Sequence, residues 1–261
     1  MRKEILLVLL IIMFIVGCVS NKQVQYLQYG DVNGKKLLKD SVVRVYDISK
    51  YEYKIQPNDI LSIDFESLTQ KEFDFLGEEK MNNNQIGGNN VGAIINGELV
   101  DPLGEIEFPV IGKIKVSGLT IFEIQDTLQS IGNQFLKEAV VKVRLLNFRF
   151  TVLGEVTKEG TVNSYNNRIS ILEGISLSGG IDDLADRSNV KIIRQTDGGV
   201  EIQYINLLDE ELIRSPYYYI HQNDVIIVPP LKQRPFRKYA AQNLSLILSS
   251  TSMILLVISL L

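Results

Sequence analysis

The sequence predicts an α+β chain: two small sheet-and-helix modules set between two apolar ends, the second end a membrane helix. Three observations carry this. Short alternating strands recur between residues 51 and 230, separated by Gly, Asn, Asp and Pro turns. Two capping boxes, Thr120-x-x-Glu123 and Ser170-x-x-Glu173, each open a helix amid those strands. Residues 244–261 carry no charge, and as a helix they reach about 27 Å, enough for a thin bilayer.

The N-terminal end has a basic start, an apolar run over 5–16 and Gly17 before Cys18. That is a secretory signal pattern, too short to span a bilayer comfortably. Cys18 directly follows it and resembles a bacterial lipobox cysteine, although Ile15 and Val16 stand where Leu and a small residue are usual. Residues 1–17 are therefore expected to be a signal peptide, and 18–50 a lipid anchor and polar tether. Acyl chains on Cys18 contribute about 0.8 kcal/mol per buried CH₂ and would hold the chain to a membrane.

From Tyr51 the pattern sharpens. Gln56-Pro57-Asn58-Asp59 is a turn leading into a strand at 60–65, and His221-Gln222-Asn223-Asp224 leads in the same way into 225–228. The echo reads as shared turn chemistry. Residues 81–97 are rich in Asn and Gly and are expected to form a mobile loop or an insertion, either a solvated connector or a sugar-facing loop whose amides bond hydroxyls. Residues 105–116 alternate on either side of Pro109 and Gly112 as a hairpin. Behind Thr120, the residues Ile121, Ile124, Leu128, Ile131 and Phe135 form a helical stripe expected to face the core. In the next strand the apolar positions are odd (Val141, Val143, Leu145), and then even (Phe148, Phe150, Val152). That register change at Leu146-Asn147 marks a boundary between modules. The second module adds a helix closed at Gly179-Gly180 and two strands around the turn 196–199. The divisions are thus 51–147, 148–230, a basic linker over 231–243, and the helix 244–261.

On that last helix, Ser245, Ser249, Ser252 and Ser259 step by 4, 3 and 7, which sets them on one stripe. A mildly polar stripe suits close helix packing or the wall of an aqueous lumen. A basic collar of Lys232, Arg234, Arg237 and Lys238 precedes it. In an inner membrane that collar would prefer the cytoplasm, which conflicts with an exported domain. Insertion in the outer membrane avoids the conflict.

Composition excludes several functions. Lys and Arg number 27 against 31 Asp and Glu, a net charge of −4, so nucleic-acid binding is not expected. One Cys and one His rule out a Cys-rich zinc site, and make a His-ligated metal cluster or a Ser-His-Asp triad improbable. No catalytic, metal or cofactor-binding residue is assigned. Asp101, Glu105 and Glu107, or Asp182 and Asp183, are glycan-cleaving carboxylates by type only. His221 is expected to be solvated, and Tyr217-Tyr218-Tyr219 to pack on a sheet.

The phrases YKIQPNDILSI, GEIEFPVIGKIKVSGLTIFEI, FTVLGEVTKEGTV, ILEGISLSGGIDDLADRSNVKIIR and NDVIIVPP, in that order, resemble the Wza-type outer-membrane polysaccharide export lipoproteins. The resemblance implies a polysaccharide-export domain followed by one β-grasp-like SLBB domain, then a C-terminal membrane helix. Glu159 departs from the Pro usual in the family's G-E-V-x-x-P-G turn. It further implies a homo-oligomeric ring anchored in the bacterial outer membrane by lipidated Cys18, with its main domains in the periplasm. The lumen of the ring, lined by the serine stripe, would pass capsular or exopolysaccharide. The implied partner is an inner-membrane polysaccharide co-polymerase of the tyrosine-kinase type. The chain is read as a channel without cofactor, not as an enzyme. A competing reading is a lipid-anchored periplasmic carbohydrate-binding or scaffold protein that forms no pore.

Overall fold

The computed structural model describes residues 24–29, 44–46, 51–67, 97–109, 111–196, 198–232 and 234–260. The expected signal peptide, Cys18 and most of the Asn/Gly-rich connector lie outside the described residues. The architecture is mixed α/β, with ten strands and three α-helices among the described residues.

The first module is a three-stranded antiparallel sheet, a hairpin and one helix. β1 (Ile60–Glu66) lies between β2 (Glu98–Leu99) and β5 (Val140–Leu145). Leu61 pairs with Leu145 and Phe65 with Val141, so the buried side chains of both strands share one face. The hairpin is β3 (Glu105–Phe108) with β4 (Gly112–Lys115), and Ile106 pairs with Ile114. Helix α1 (Ile121–Phe135) starts at its capping box: Thr120 Oγ1 accepts from Glu123 N, and the Glu123 carboxylate accepts from Thr120 N. Its buried face is Ile124, Leu128 and Gly132, narrower than the stripe expected from sequence. Phe135, at the end of the helix, is 44% exposed. Gly132 takes the place a third large residue would fill, because a Cβ there would meet the Phe65 ring at 3.3 Å.

The chain leaves the first sheet at Leu146 and enters the second at Arg149. The second sheet runs β7 (Gly160–Asn163), β6 (Arg149–Gly154), β10 (Val225–Val228), β8 (Val190–Thr196) and β9 (Gly199–Ile205). Only β6 and β10 run parallel. Phe148, Phe150 and Val152 are fully buried, as the even-position pattern requires. Phe150 packs against α2 (Ile171–Leu177), where a Cβ at Gly174 would meet its ring at 3.1 Å. The helix is opened by the Ser170–Glu173 box and closed by Gly179 and Gly180, both at positive φ.

The turn echo is three-dimensional. In each module an Asp accepts from a backbone N–H three residues earlier, Asp59 from Gln56 and Asp224 from His221. Asn58 and Asn223 both sit at positive φ, 71° and 63°. Five residues before each Asp, Lys54 and Tyr219 bridge the helix-capping residues Thr120 and Ser170. One turn thus ties the start of a strand to the start of a helix, twice.

Helix α3 runs from Arg234 to Leu260. It takes in most of the segment expected as a basic linker, because that segment is rich in helix formers and Pro235 falls at its first turn, where a missing N–H costs nothing. Among the described residues no helix is long and apolar enough to cross a membrane. A helical backbone over the expected membrane segment is therefore what the fold supplies, without the crossing itself.

Candidate functional site at the root of the C-terminal helix

α3 is rooted in the second module rather than attached by a loose string. Beyond β10, Pro230 bridges Ala185, and Leu231 N donates to Leu184 O. Arg234 Nε then lies 2.8 Å from Glu155 Oε1, whose carboxylate is largely buried. The contact is an ion pair, with an angle too poor for a hydrogen bond. Glu155 sits at the N-terminal end of α3, where a negative charge also suits the helix dipole. Beside the pair is an open hollow of about 480 Å³ lined by Glu155, Ile181, Asp182, Asp183, Leu184 and Arg234.

Each stripe serine whose bond is seen turns its hydroxyl back on the helix. Ser249 Oγ donates to Leu246 O, Ser252 Oγ to Ser249 O and Ser259 Oγ to Leu256 O, at 2.8–3.0 Å. Ser250 and Thr251 do the same toward Ile247 and Leu248. Sequence reasoning passed over these two. Together with Ser249 and Ser252 they encircle the helix near its middle, and Leu256 interrupts the stripe between Ser252 and Ser259. Hydroxyls bonded to i−3 and i−4 carbonyls are already partnered, so the stripe costs less in lipid than a set of open hydroxyls would. Leu246, Ile247, Leu248, Met253 and Leu256, on several sides of the helix, are all at least 58% exposed. A helix apolar on most sides fits lipid or neighbouring helices better than water.

The N-terminal tether docks on the same module. Leu27 N donates to Leu207 O, and Gln28 pairs in parallel with Asp209. The guanidinium of Arg44 holds Glu210 by two bonds, at 2.8 and 2.5 Å. Arg187 lies over the Tyr26 ring and Arg214 over Tyr46. Nothing in the local pattern announces this, since Arg44 and Glu210 stand 166 residues apart.

A polar and aromatic joint connects the modules. Asn147 Oδ1 accepts from Ile60 N, its Nδ2 donates to Asn58 O, and its carbonyl accepts from Gln222 Nε2. Tyr51 of the first module stacks on Tyr219 and His221 of the second, with ring centroids 5.4 and 4.8 Å apart. His221 is thus half-buried, contrary to the solvated position expected. Burial first, and the nearby Arg194 second, push its imidazole down to about 4. Behind it, Arg194 makes a buried ion pair with Asp224 at 2.7 Å and also donates to Tyr219 O. Burial raises the Asp224 carboxyl above its ordinary value, against the pull of Arg194. Tyr217 lies under the Arg194 guanidinium and donates to Glu201, so the tyrosine run serves this joint and the sheet beside it.

The carboxylates singled out by type do not converge on a cleft. Asp101 caps Glu105 N and pairs loosely with Lys113, and Glu105 and Glu107 lie opposite Lys115 and Lys113 across the hairpin. Asp182 and Asp183 border the hollow at the root of α3. Among the described residues no group of His, Cys, Asp or Glu is placed to hold a metal ion.

Comparison with known proteins places these modules. Residues 47–146 match the family model for polysaccharide biosynthesis/export proteins, and residues 148–228 match the SLBB domain. The EPS I polysaccharide export outer membrane protein EpsA of Ralstonia solanacearum is 31% identical over 104 residues, which cover 38% of this chain and 28% of the relative. Its counterpart in Ralstonia nicotianae is likewise 31% identical, over 27% of its length. The chain therefore matches less than a third of the length of these relatives.

Proposed function

The chain belongs to the polysaccharide export proteins, which are not enzymes, and on that premise we propose that it is an outer-membrane lipoprotein whose copies form a channel for capsular or exopolysaccharide. The observation that carries this is that the tether and α3, the two expected membrane attachments, both join the second module. The tether docks on the second module at Tyr26, eight residues after Cys18, a reach of at most about 28 Å. α3 leaves the same module six residues after β10 ends, held by Glu155. A lipidated Cys18 and a membrane-inserted α3 would therefore hold the SLBB module against the outer membrane. The polysaccharide-export module would then be free to face an inner-membrane co-polymerase.

In this reading α3 crosses the outer membrane, and Ser245, Ser249, Ser252 and Ser259 face the lumen of a ring of helices. Hydroxyls that are partnered within their own helix offer a sugar chain weak contacts, which suits transit better than tight binding. A second reading, a lipid-anchored scaffold without a pore, is favoured by one observation: among the described residues no helix is long and apolar enough to span a membrane.

Removal of residues 244–261, with Cys18 kept, separates the two. The channel reading predicts loss of surface polysaccharide while the protein stays in the outer-membrane fraction. Undiminished polysaccharide in that strain would overturn it and leave the scaffold.

A further inference from the structure

The second sheet ends in two bare edges. β9 pairs with β8 in unbroken register from Val190–Ile205 to Thr196–Gly199, so no bulge turns its outer edge away. Its single charge, Glu201, is engaged by the Tyr217 hydroxyl. β7, at the other end, carries no charge, and neither strand contains Pro. Among the described residues nothing pairs with the outer edge of either strand. Val200, Ile202 and Tyr204 stand on one face of β9, each at least 57% exposed. Sheets that remain alone protect their edges with Lys, Pro, bulges or covering segments, and among the described residues these edges have none of those.

The directions of the strands identify what fits. Counting across the sheet, β7 runs opposite to β9. Copies related by rotation about an axis along the strands therefore bring β9 of one against β7 of the next as an antiparallel pair, with neither copy inverted. Each row of unpaired N–H and C=O groups then meets a row of the same kind. The register that sets Ile202 against Thr161 brings Tyr204 beside Glu159 of the next copy, just before β7. The Glu159 carboxylate also accepts from Gly154 N of its own copy. Lys191, which pairs with Tyr204 on β8, lies one strand away, so charge at that end is complementary. Two β9 strands paired with each other would instead reverse strand direction in the second copy.

We propose that the β9 edge of one copy pairs with the β7 edge of the next, so that the SLBB sheets join head to tail around the oligomer. This rests on the export reading for the ring, and it names the surface that builds it.

Cysteine cross-linking on the full chain in its membrane tests the pairing. Within one copy β7 and β9 are four strand spacings apart, about 19 Å, too far for a disulfide. Thr161→Cys and Ile202→Cys are combined in one chain with Cys18 kept, alongside each single variant and the unsubstituted protein. Neighbouring pairs, with Asn163 on β7 and Val200 or Tyr204 on β9, cover alternative registers. The expected result under mild oxidation is a ladder of dimers, trimers and larger species from a double variant, and none from the single variants. Dimers from Ile202→Cys alone would show β9 pairing with itself and overturn the proposal, as would the absence of a ladder in every register. Ile202→Lys, at an exposed site, should lower the native mass in detergent with unchanged thermal unfolding, and an unchanged mass would also count against the pairing. Surface polysaccharide is measured in the same cells. Exporting cells without a ladder overturn this interface alone, whereas a ladder in a protein that exports nothing overturns the export reading alone.

Discussion

Replacing Arg194 by Met tests whether the joint is held by its buried ion pair. Arg194 and Asp224 are both almost completely buried, and the guanidinium also bonds Tyr219 O. Met keeps much of the volume and removes the charge, leaving the Asp224 carboxylate buried with only the His221 N–H of its present side-chain partners. Breaking a buried pair from one side costs about 3–5 kcal/mol. For a fold of this size that lowers the melting temperature by roughly 10 °C. The loss should depend on pH in a defined direction. Burial already raises the Asp224 carboxyl, and Arg194 opposes that rise. Without Arg194 the carboxyl titrates higher, so the folded variant takes up a proton that the unfolded chain does not. The variant therefore recovers stability relative to wild type as pH falls from 7 toward 5. Denaturant unfolding of the detergent-solubilised chain at both pH values is the assay. A loss below about 1 kcal/mol at pH 7, or a gap that does not narrow at pH 5, would refute the reasoning.

Three further outcomes follow from the same structure. The imidazole of His221, held at about 4 beside Tyr51, Tyr219, Arg194 and Asp224, stays neutral in the folded state while the unfolded chain charges near 6.5. Its contribution costs stability as pH falls from 6.5 to 4, on the order of 3 kcal/mol in all, and His221→Phe, which keeps the ring, should flatten that slope. Equal slopes in the two proteins would show that His221 is not responsible. Asn147→Ala removes two bonds to the first module and should cost about 1–3 kcal/mol, read as a lower denaturant midpoint, with increased proteolysis between the modules as a second sign. Gly154, at φ 97°, lies so close to the Val228 carbonyl that a Cβ would overlap it. Gly154→Ala should therefore destabilise by more than the roughly 1 kcal/mol of an unstrained glycine change, and a neutral result in thermal unfolding would contradict the close approach of β6 and β10.

What the sequence disclosed was local. The two capping boxes fixed the starts of α1 and α2, because the residues that bond are three apart. The switch from odd to even apolar positions at Leu146-Asn147 fell where the chain changes sheets, because alternation reports a buried face directly. The turn echo was visible as composition, but its equivalence needed the bridges from Lys54 and Tyr219 to the helix caps. What stayed hidden was long-range. Arg194 finds Asp224 across 30 residues, Arg44 finds Glu210 across 166, and Tyr51 stacks on rings from another module. No periodicity encodes such meetings. Phe135 fit the helical stripe but, at the last position of α1, it is exposed where Ile124 and Leu128 are buried. The serine stripe was legible as spacing, whereas the direction of its hydroxyls, back toward their own carbonyls, was not.

The measurement closest to the central claim is the accessibility of the C-terminus in living cells. A cysteine is added after Leu261, with Cys18 kept, and intact cells are treated with a membrane-impermeant maleimide. The export channel predicts labelling from outside, because α3 would carry its end across the outer membrane. Labelling only after that membrane is opened, with a surface-exposed control labelled throughout, would contradict the channel and leave an anchored periplasmic scaffold.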